Sequence, residues 1–301
     1  MSTPTRRTLR RARHELCQAW RAFFIARGAI EVTTPILHRY PDIAPVRQFT
    51  TRHPTTGAAA CLRIAPTEHL KRLLADGEQQ VFEFAANFRD DPVDKTHLPE
   101  FMSVEYMAVN ATCTEMEKLA VELCRVAIAV LAPLAADGPP SWASRLEAGQ
   151  FERISIAELM GLESSLGELD LDALDQVLAQ RAAAVGGVVL VGDFPENLGG
   201  PAVGHPALAG FKQRTEVFIN GLEIANMSTT LTDPAVLTSW HDDGLSRKAT
   251  LGIEPNEKDL VLFDAVDRGI PDSAVIGLGI ERILQAYFAL ENMGHELSIG
   301  Y

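Results

Sequence analysis

Four cysteines in 301 residues, Cys17, Cys61, Cys113 and Cys124, are few and widely scattered. No pair has CxxC spacing, which excludes the usual zinc-binding pattern, and disulfide frameworks belong to far shorter chains. The expectation is free thiols in a reducing, cytoplasmic setting. Long apolar runs are also missing. No stretch approaches the roughly 20 residues of a membrane-spanning helix, and the Arg-rich start lacks the apolar core of a secretory signal. Neither membrane contact nor Sec-type export is expected. Positive charge is scarce too: 27 Lys+Arg against 40 Asp+Glu gives a net −13, which argues against broad, non-specific nucleic-acid binding.

What is present suits a globular chain, with 47% hydrophobic and 22% charged residues. At about 150 residues per domain the length allows two domains or one large one. Leu9, Ala12, Leu16, Ala19, Trp20, Phe23 and Phe24 form an apolar stripe at helical spacing, with Gly28 where such a helix ends. Residues 29–35 (AIEVTTP) read as a strand stopped by proline. Residues 81–89 and 100–109 read as strands flanking a polar loop, 114–134 as a helix, and 188–194 as a buried strand. Asn220-Gly221 between 215–219 and 222–226 is a hairpin signal, because both central residues of a type I′ turn need positive φ. Residues 275–280 run into a helix over 281–290. The Ala/Gly/Pro-rich and then acidic stretch at about 135–187 reads as a helical insertion within a single 1–301 unit. Strands and helices out of strict alternation predict an α+β fold with a mainly antiparallel sheet.

Three clusters carry chemistry. Arg89 ends one strand as a planar, permanently charged fork that can grip a carboxylate and a phosphate together; His97 and Phe101 follow across the loop. Glu216 and Glu223 bracket the hairpin and can face one side of it, where Mg²⁺ on nucleotide phosphates suits two hard oxygen donors. Residues 277–282 (GLGIER) place glycines beside a strand and Arg282 at a helix start, a setting that favours phosphate.

Taken in order, FRDD…THLPEF…E, then E-x₆-E, then GLGIER resemble motifs 2 and 3 of the class II aminoacyl-tRNA synthetases, and GAIEVTTP looks like motif 1. Residues 65–74 (APTEHLKRLL), 220–234 and 266–284 place the resemblance in the lysyl-tRNA synthetase branch, near stand-alone paralogues that lysylate elongation factor P. The likeness spans roughly residues 9 to 290. It implies a class II antiparallel sheet flanked by helices, a homodimer through motif 1, and an ATP- and Mg²⁺-dependent adenylation site. Arg89 and Arg282 would be the catalytic residues. ATP would meet Arg89, Asp91, His97, Phe101, Gly279 and Arg282, with Mg²⁺ held by Glu216 and Glu223. The amino-acid substrate would meet Glu68, Arg89, Glu105, Met107, Asn226, Met227 and Thr230.

The sequence also departs from that branch. Lysine-specific members read E-x-x-N-G-F-x-E-L-x-D where this chain has EIANMSTTLTD over 223–233, so the glutamate that holds the substrate's ε-ammonium is Thr230 here and the glycine is Met227. A tyrosine serving the lysine side chain falls at Met107, and Tyr106 lies one place off, on the opposite face of a strand. Leaving a buried ammonium without its carboxylate costs about 2–5 kcal/mol. The expectation is a neutral amino acid, unless an acid from the 190–210 stretch takes over. The motif 1 helix begins within about ten residues of Met1, so no anticodon-binding barrel is expected before it. Arg6, Arg7, Arg10, Arg11 and Arg13 are either a solvated helix face or contacts for an acidic acceptor. For those arginines the acidic acceptor would be a carrier protein or a tRNA stem; the acyl acceptor in general would be a protein lysine, a carrier protein, a small molecule or a tRNA acceptor end. The alternatives are an elongation factor P (β-)lysine ligase and a non-catalytic paralogue that regulates a true synthetase.

Overall fold

Helix α1 (Arg6–Ala26) opens on Thr5, whose hydroxyl accepts the Thr8 amide, and closes just before Gly28 at φ +83°. Leu9, Ala12, Leu16, Trp20 and Phe24 form its buried stripe, and Trp20 donates its indole N–H to the Leu123 carbonyl. The computed structural model describes residues 4–40, 42, 44, 46–160, 171–198, 200–250 and 260–293. Among these no helix is long and apolar enough to cross a membrane.

The strand expected over 29–35 shortens to β1 (Ile30–Glu31), because Thr34 turns its amide and hydroxyl onto the buried carboxylate of Glu83. Three short strands absent from the sequence reading, β2 (Leu37–His38), β3 (Thr50–Arg52) and β4 (Ala59–Leu62), form a separate sheet in the order β2-β4-β3. Helix α2 (Thr67–Ala75) follows. Then come β5 (Gln80–Phe88) and β6 (Glu100–Val109), antiparallel from Gln80↔Ala108 to Phe88↔Glu100. A capping box at Thr112 and Glu115 starts α3 (Cys113–Leu131).

The segment read as a helical insertion supplies α4 (Ser141–Glu147), β7 (Glu152–Ser155), α5 (Ile156–Met160) and α6 (Leu171–Val185). Its residues 161–170 lie outside the described residues. It is not purely helical: β7 runs parallel to β8 (Val188–Pro195) at the edge of the main sheet, and four residues are too few to show strand periodicity. Next, β9 (Phe211–Ile219) and β10 (Leu222–Thr229) make the hairpin, with Asn220 at φ +49° and Gly221 at φ +85°. Glycine is doubly required there, since a Cβ on Gly221 would lie 2.5 Å from the Ala179 carbonyl of α6. Helices α7 (Pro234–Thr250) and α8 (Leu260–Arg268), strand β11 (Ser273–Gly279) and helix α9 (Ile280–Phe288) complete the described fold.

The main sheet runs β1-β5-β6-β11-β10-β9-β8-β7, with antiparallel pairs throughout its middle and parallel pairs only at the two edges. One face packs on α1, α3, α4 and α9 through residues such as Phe82, Val104, Tyr106, Val217, Met227 and Ile276. On the other face α2 covers β5–β6 through Leu70, Leu74, Val81 and Met107, while α5 and α6 cover β8–β9 through Leu174, Leu178, Val191 and Phe218. Between these two covers no described helix lies over the sheet's central strands. The four cysteines are free, and burial pushes the Cys113 and Cys124 thiols up to about 12, far from reactive thiolates.

Candidate active site

The strand order brings distant residues into one line. Glu83↔Glu105, Glu105↔Gly277, Gly277↔Asn226 and Asn226↔Glu216 are directly paired across five neighbouring strands. Gly277 sits mid-row, where a Cβ would come 3.4 Å from Glu105 Cγ, so its missing side chain keeps the floor open. Over this row lies an open cleft. Nine of the residues singled out in the sequence line it: Arg89, Asp91, His97, Phe101, Glu105, Glu223, Asn226, Gly279 and Arg282.

Arg89 and Arg282 therefore open onto the same space. The Arg89 guanidinium lies 5.2 Å from the Phe101 ring centre, and its Nε is buried without a hydrogen-bond partner among the described residues. A buried, unanswered N–H on a permanent cation is costly unless a ligand supplies the acceptor. Arg282 donates to the Glu223 carboxylate at 2.8 Å and to the Glu223 carbonyl at 3.1 Å. Gly279 caps α9 without a side-chain bond of its own, at the cleft wall. His97 is held by Asp94, 3.0 Å from its Nδ1.

Glu216 does not line the cleft itself. It sits behind Asn226, accepting hydrogen bonds from that amide at 3.2 Å and from Arg214 at 2.5 Å. Burial pushes its pKa up to about 7, Arg214 opposes this, and Glu223 and Asp175 add to it. Glu216 and Glu223 share a face, as expected, because Glu223 pairs with Phe218, two residues from Glu216 along β9; a bulge then follows between Glu223 and Ala225. Strict alternation from Glu223 would put Ala225 and Met227 on the cleft face. The bulge puts Asn226 there instead.

That bulge corrects one expected contact: Met227 is fully buried in the core on the opposite face of the sheet and does not reach the cleft. Glu68 is a second correction. α2 begins at Thr67, and adjacent helical residues point about 100° apart, so Thr67 turns to the cleft side and Glu68 turns away. The Thr67 hydroxyl donates to Glu105 at 2.7 Å, whereas Glu68 is clamped by the buried ammonium of Lys71 at 2.9 and 3.2 Å. Met107 shares the Glu105 face but lies under α2, and Thr230 is buried past the cleft's end with its hydroxyl unpartnered. Tyr106 faces away, stacked on Phe24 at 5.0 Å, as period-2 alternation predicts. No acid of the 190–210 stretch replaces Thr230: Asp193 is held by Arg153, and Glu196 lines a separate groove with Lys212.

Glu105 is the carboxylate of the cleft's deep end. Burial pushes its pKa up to about 7; the Thr67 hydroxyl, Arg89 and Arg63 pull it down, and Glu83 raises it further. Glu83 itself is paired with the buried Arg63 at 2.8 Å. Asn87, Ser103 and Glu281 also line the cleft and were missed in the sequence. Counting two back from Arg89 and from Glu105 along their strands would have found the first two. Asn87 donates to Ser103 at 2.7 Å and leaves its own carbonyl oxygen buried and unpartnered. Glu281 accepts the Met102 amide and pairs with Arg13 at 3.3 Å, which ties one arginine of α1 to the site's wall.

Comparison with known proteins adds independent findings. A family model described as tRNA synthetases class II (D, K and N) matches residues 1–295. A lysine–tRNA ligase of Synechococcus sp. (strain RCC307) is 28% identical over 312 residues, covering 94% of this chain and 61% of that protein. A lysine–tRNA ligase 2 of Methanosarcina mazei is 29% identical, covering 93% and 60%. A lysine–tRNA ligase of Chloroflexus aurantiacus is also 29% identical, covering 93% and 62%. The chain thus spans about three fifths of the length of these relatives.

Proposed function

The chain belongs to the class II tRNA synthetases of the D, K and N type, and from that membership we propose that it is an ATP-dependent amino-acid-activating ligase. It forms an aminoacyl-adenylate and passes the acyl group to a protein, carrier or small-molecule nucleophile. The opening of Arg89 and Arg282 onto one cleft, with Arg89 Nε buried and unanswered, carries this proposal.

Arg89 grips the substrate carboxylate and the α-phosphate, and the nearby Phe101 ring offers a stacking surface for adenine. Asp91 and His97 border the nucleotide. Arg282 and the start of α9 meet the distal phosphates. Two carboxylates together with phosphate oxygens fit a magnesium ion, and no group of three or more metal-binding side chains occurs among the described residues. Glu223 at the cleft wall, with Glu216 behind Asn226, would hold the magnesium ion, which would supply neutralisation of phosphate charge. The carboxylate oxygen attacks the α-phosphorus in line, the bond to the β-phosphate breaks, and pyrophosphate leaves. Positioning and charge stabilisation suffice, with no covalent enzyme intermediate.

The deep end favours a neutral side chain. An α-ammonium takes up Glu105; a lysine needs a second carboxylate, while Glu68 is spent on Lys71 and position 230 is threonine. The names of the relatives favour the competing substrate, lysine. Exposed Ile25 and Ile30 beside edge strand β1 support a homodimer through that edge. Amino-acid-dependent ATP–pyrophosphate exchange tests all of this. Exchange with one or more neutral amino acids is expected. Exchange with lysine alone overturns the neutral substrate, and none with any amino acid overturns the ligase in favour of a non-catalytic paralogue.

A further inference from the structure

Past Glu105 the cleft stops. The next residue of β6 on the same face is Met107, fully buried against Val81 of β5 and Leu70 and Leu74 of α2. Its partner across the sheet is Val275. The cleft lining ends one row short, at Glu105, Gly277 and Asn226, and includes neither Met107 nor Val275. One row further, Thr230 and Ser273 bury their hydroxyls without hydrogen-bond partners among the described residues, their backbones joined by a 2.9 Å bond. A polar end thus exists in the direction a substrate side chain would extend, and the Met107–Val275 row separates it from the cleft.

Two residues along a strand advance about 6.7 Å. An extended lysine side chain is about as long as that step, so it would have to occupy the volume that Met107 fills. A side chain of one or two heavy atoms need not. Displacing Met107 would break close packing between the sheet and α2, which interiors resist.

Resting on the amino-acid activation proposed above, we infer that the substrate is an α-amino acid with a short side chain. Its ammonium docks at Glu105, the Thr67 hydroxyl positions that carboxylate, and Met107 sets the length limit. Specificity therefore depends on a packed methionine as well as on the missing second carboxylate. One methylene too many or too few in an apolar pocket is commonly worth about ten- to 200-fold in kcat/KM.

The test is pyrophosphate exchange with a length series (glycine, alanine, serine, 2-aminobutyrate, norvaline, norleucine, glutamine, lysine) in the wild type, Met107→Val and Met107→Ala. The wild type is expected to peak at one or two side-chain heavy atoms and to fall at least tenfold by norleucine. Met107→Val and then Met107→Ala should shift the peak stepwise to longer chains. In Met107→Ala, norleucine should gain more than lysine, because the space that opens is apolar and holds no second carboxylate. A wild-type peak at norleucine or lysine overturns the length limit. So does a long-to-short kcat/KM ratio that stays unchanged in both folded variants. Absence of exchange with every member in the wild type overturns the activation reading itself, a distinguishable outcome.

Discussion

The two ends of the cleft are built on opposite plans. At the phosphate end positive and negative groups are interleaved: Arg282 with Glu223, Arg214 with Glu216, and Arg89 over Phe101 with one N–H still open. At the deep end one carboxylate, Glu105, stands against a hydroxyl and an apolar plug. Paired charges in a partly buried site are held ready for a ligand that reshuffles them, so the first end suits a polyanion with a cation. A lone buried acid suits a single ammonium. On the proposed reading, reaction type and substrate choice are set by separate residues, and the second can drift without disturbing the first.

Breaking each end separately should have unequal effects. The largest is expected from Arg89→Ala, which removes the group proposed to meet both the substrate carboxylate and the α-phosphate. Exchange should drop by about 10³-fold with the circular dichroism spectrum and melting curve unchanged. Exchange at wild-type rates would take Arg89 out of the chemistry. Next comes Glu105→Gln, which leaves the phosphate end alone. The amino-acid KM should rise by about 10²-fold while the ATP KM stays within a few-fold, the scale of losing one partner of a buried charged contact. An ATP KM that rises equally would erase the distinction between the two ends.

The smallest effect is in the pH profile. Because the Glu105 pKa is raised to about 7, the free protein holds that proton until pH approaches 7. Amino-acid kcat/KM at saturating ATP should then climb about tenfold per unit below pH 7 and level off above it, and Glu105→Gln should flatten the climb. The same raised pKa acts on stability with the opposite sign. The folded state binds the proton more tightly than the unfolded chain, so this contribution is fully present below about pH 4.5 and fades as pH rises through 7. Glu216, pushed to about 7 as well, should appear in the profile for ATP rather than in that for the amino acid.

Legibility in the sequence followed the same division. β5 and β6 were readable to within a residue because their apolar alternation is long, and Asn220-Gly221 announced the hairpin. The arginines and glutamates of the phosphate end lie at strand ends and beside turns, where position in the sequence nearly decides position in space. The deep end was harder. Whether Thr67 or Glu68 faces the cleft depends on the residue at which α2 starts, and nothing in the letters marks that start. Whether Asn226 or Met227 faces it depends on a one-residue bulge in β10. The two- to four-residue strands β2, β3, β4 and β7 are stabilised by tertiary pairing and leave no periodic trace. That Met107 is a plug became visible only once α2 was seen to lie over it.

The most direct measurement is a crystal structure of the protein with Mg²⁺ and a non-hydrolysable ATP analogue. The account predicts one bent nucleotide in the cleft, its base on Phe101, its α-phosphate within hydrogen-bond distance of Arg89 Nε or its neighbouring nitrogens, and its γ-phosphate on Arg282. A nucleotide bound outside the cleft, or one whose phosphates touch neither arginine, would contradict it.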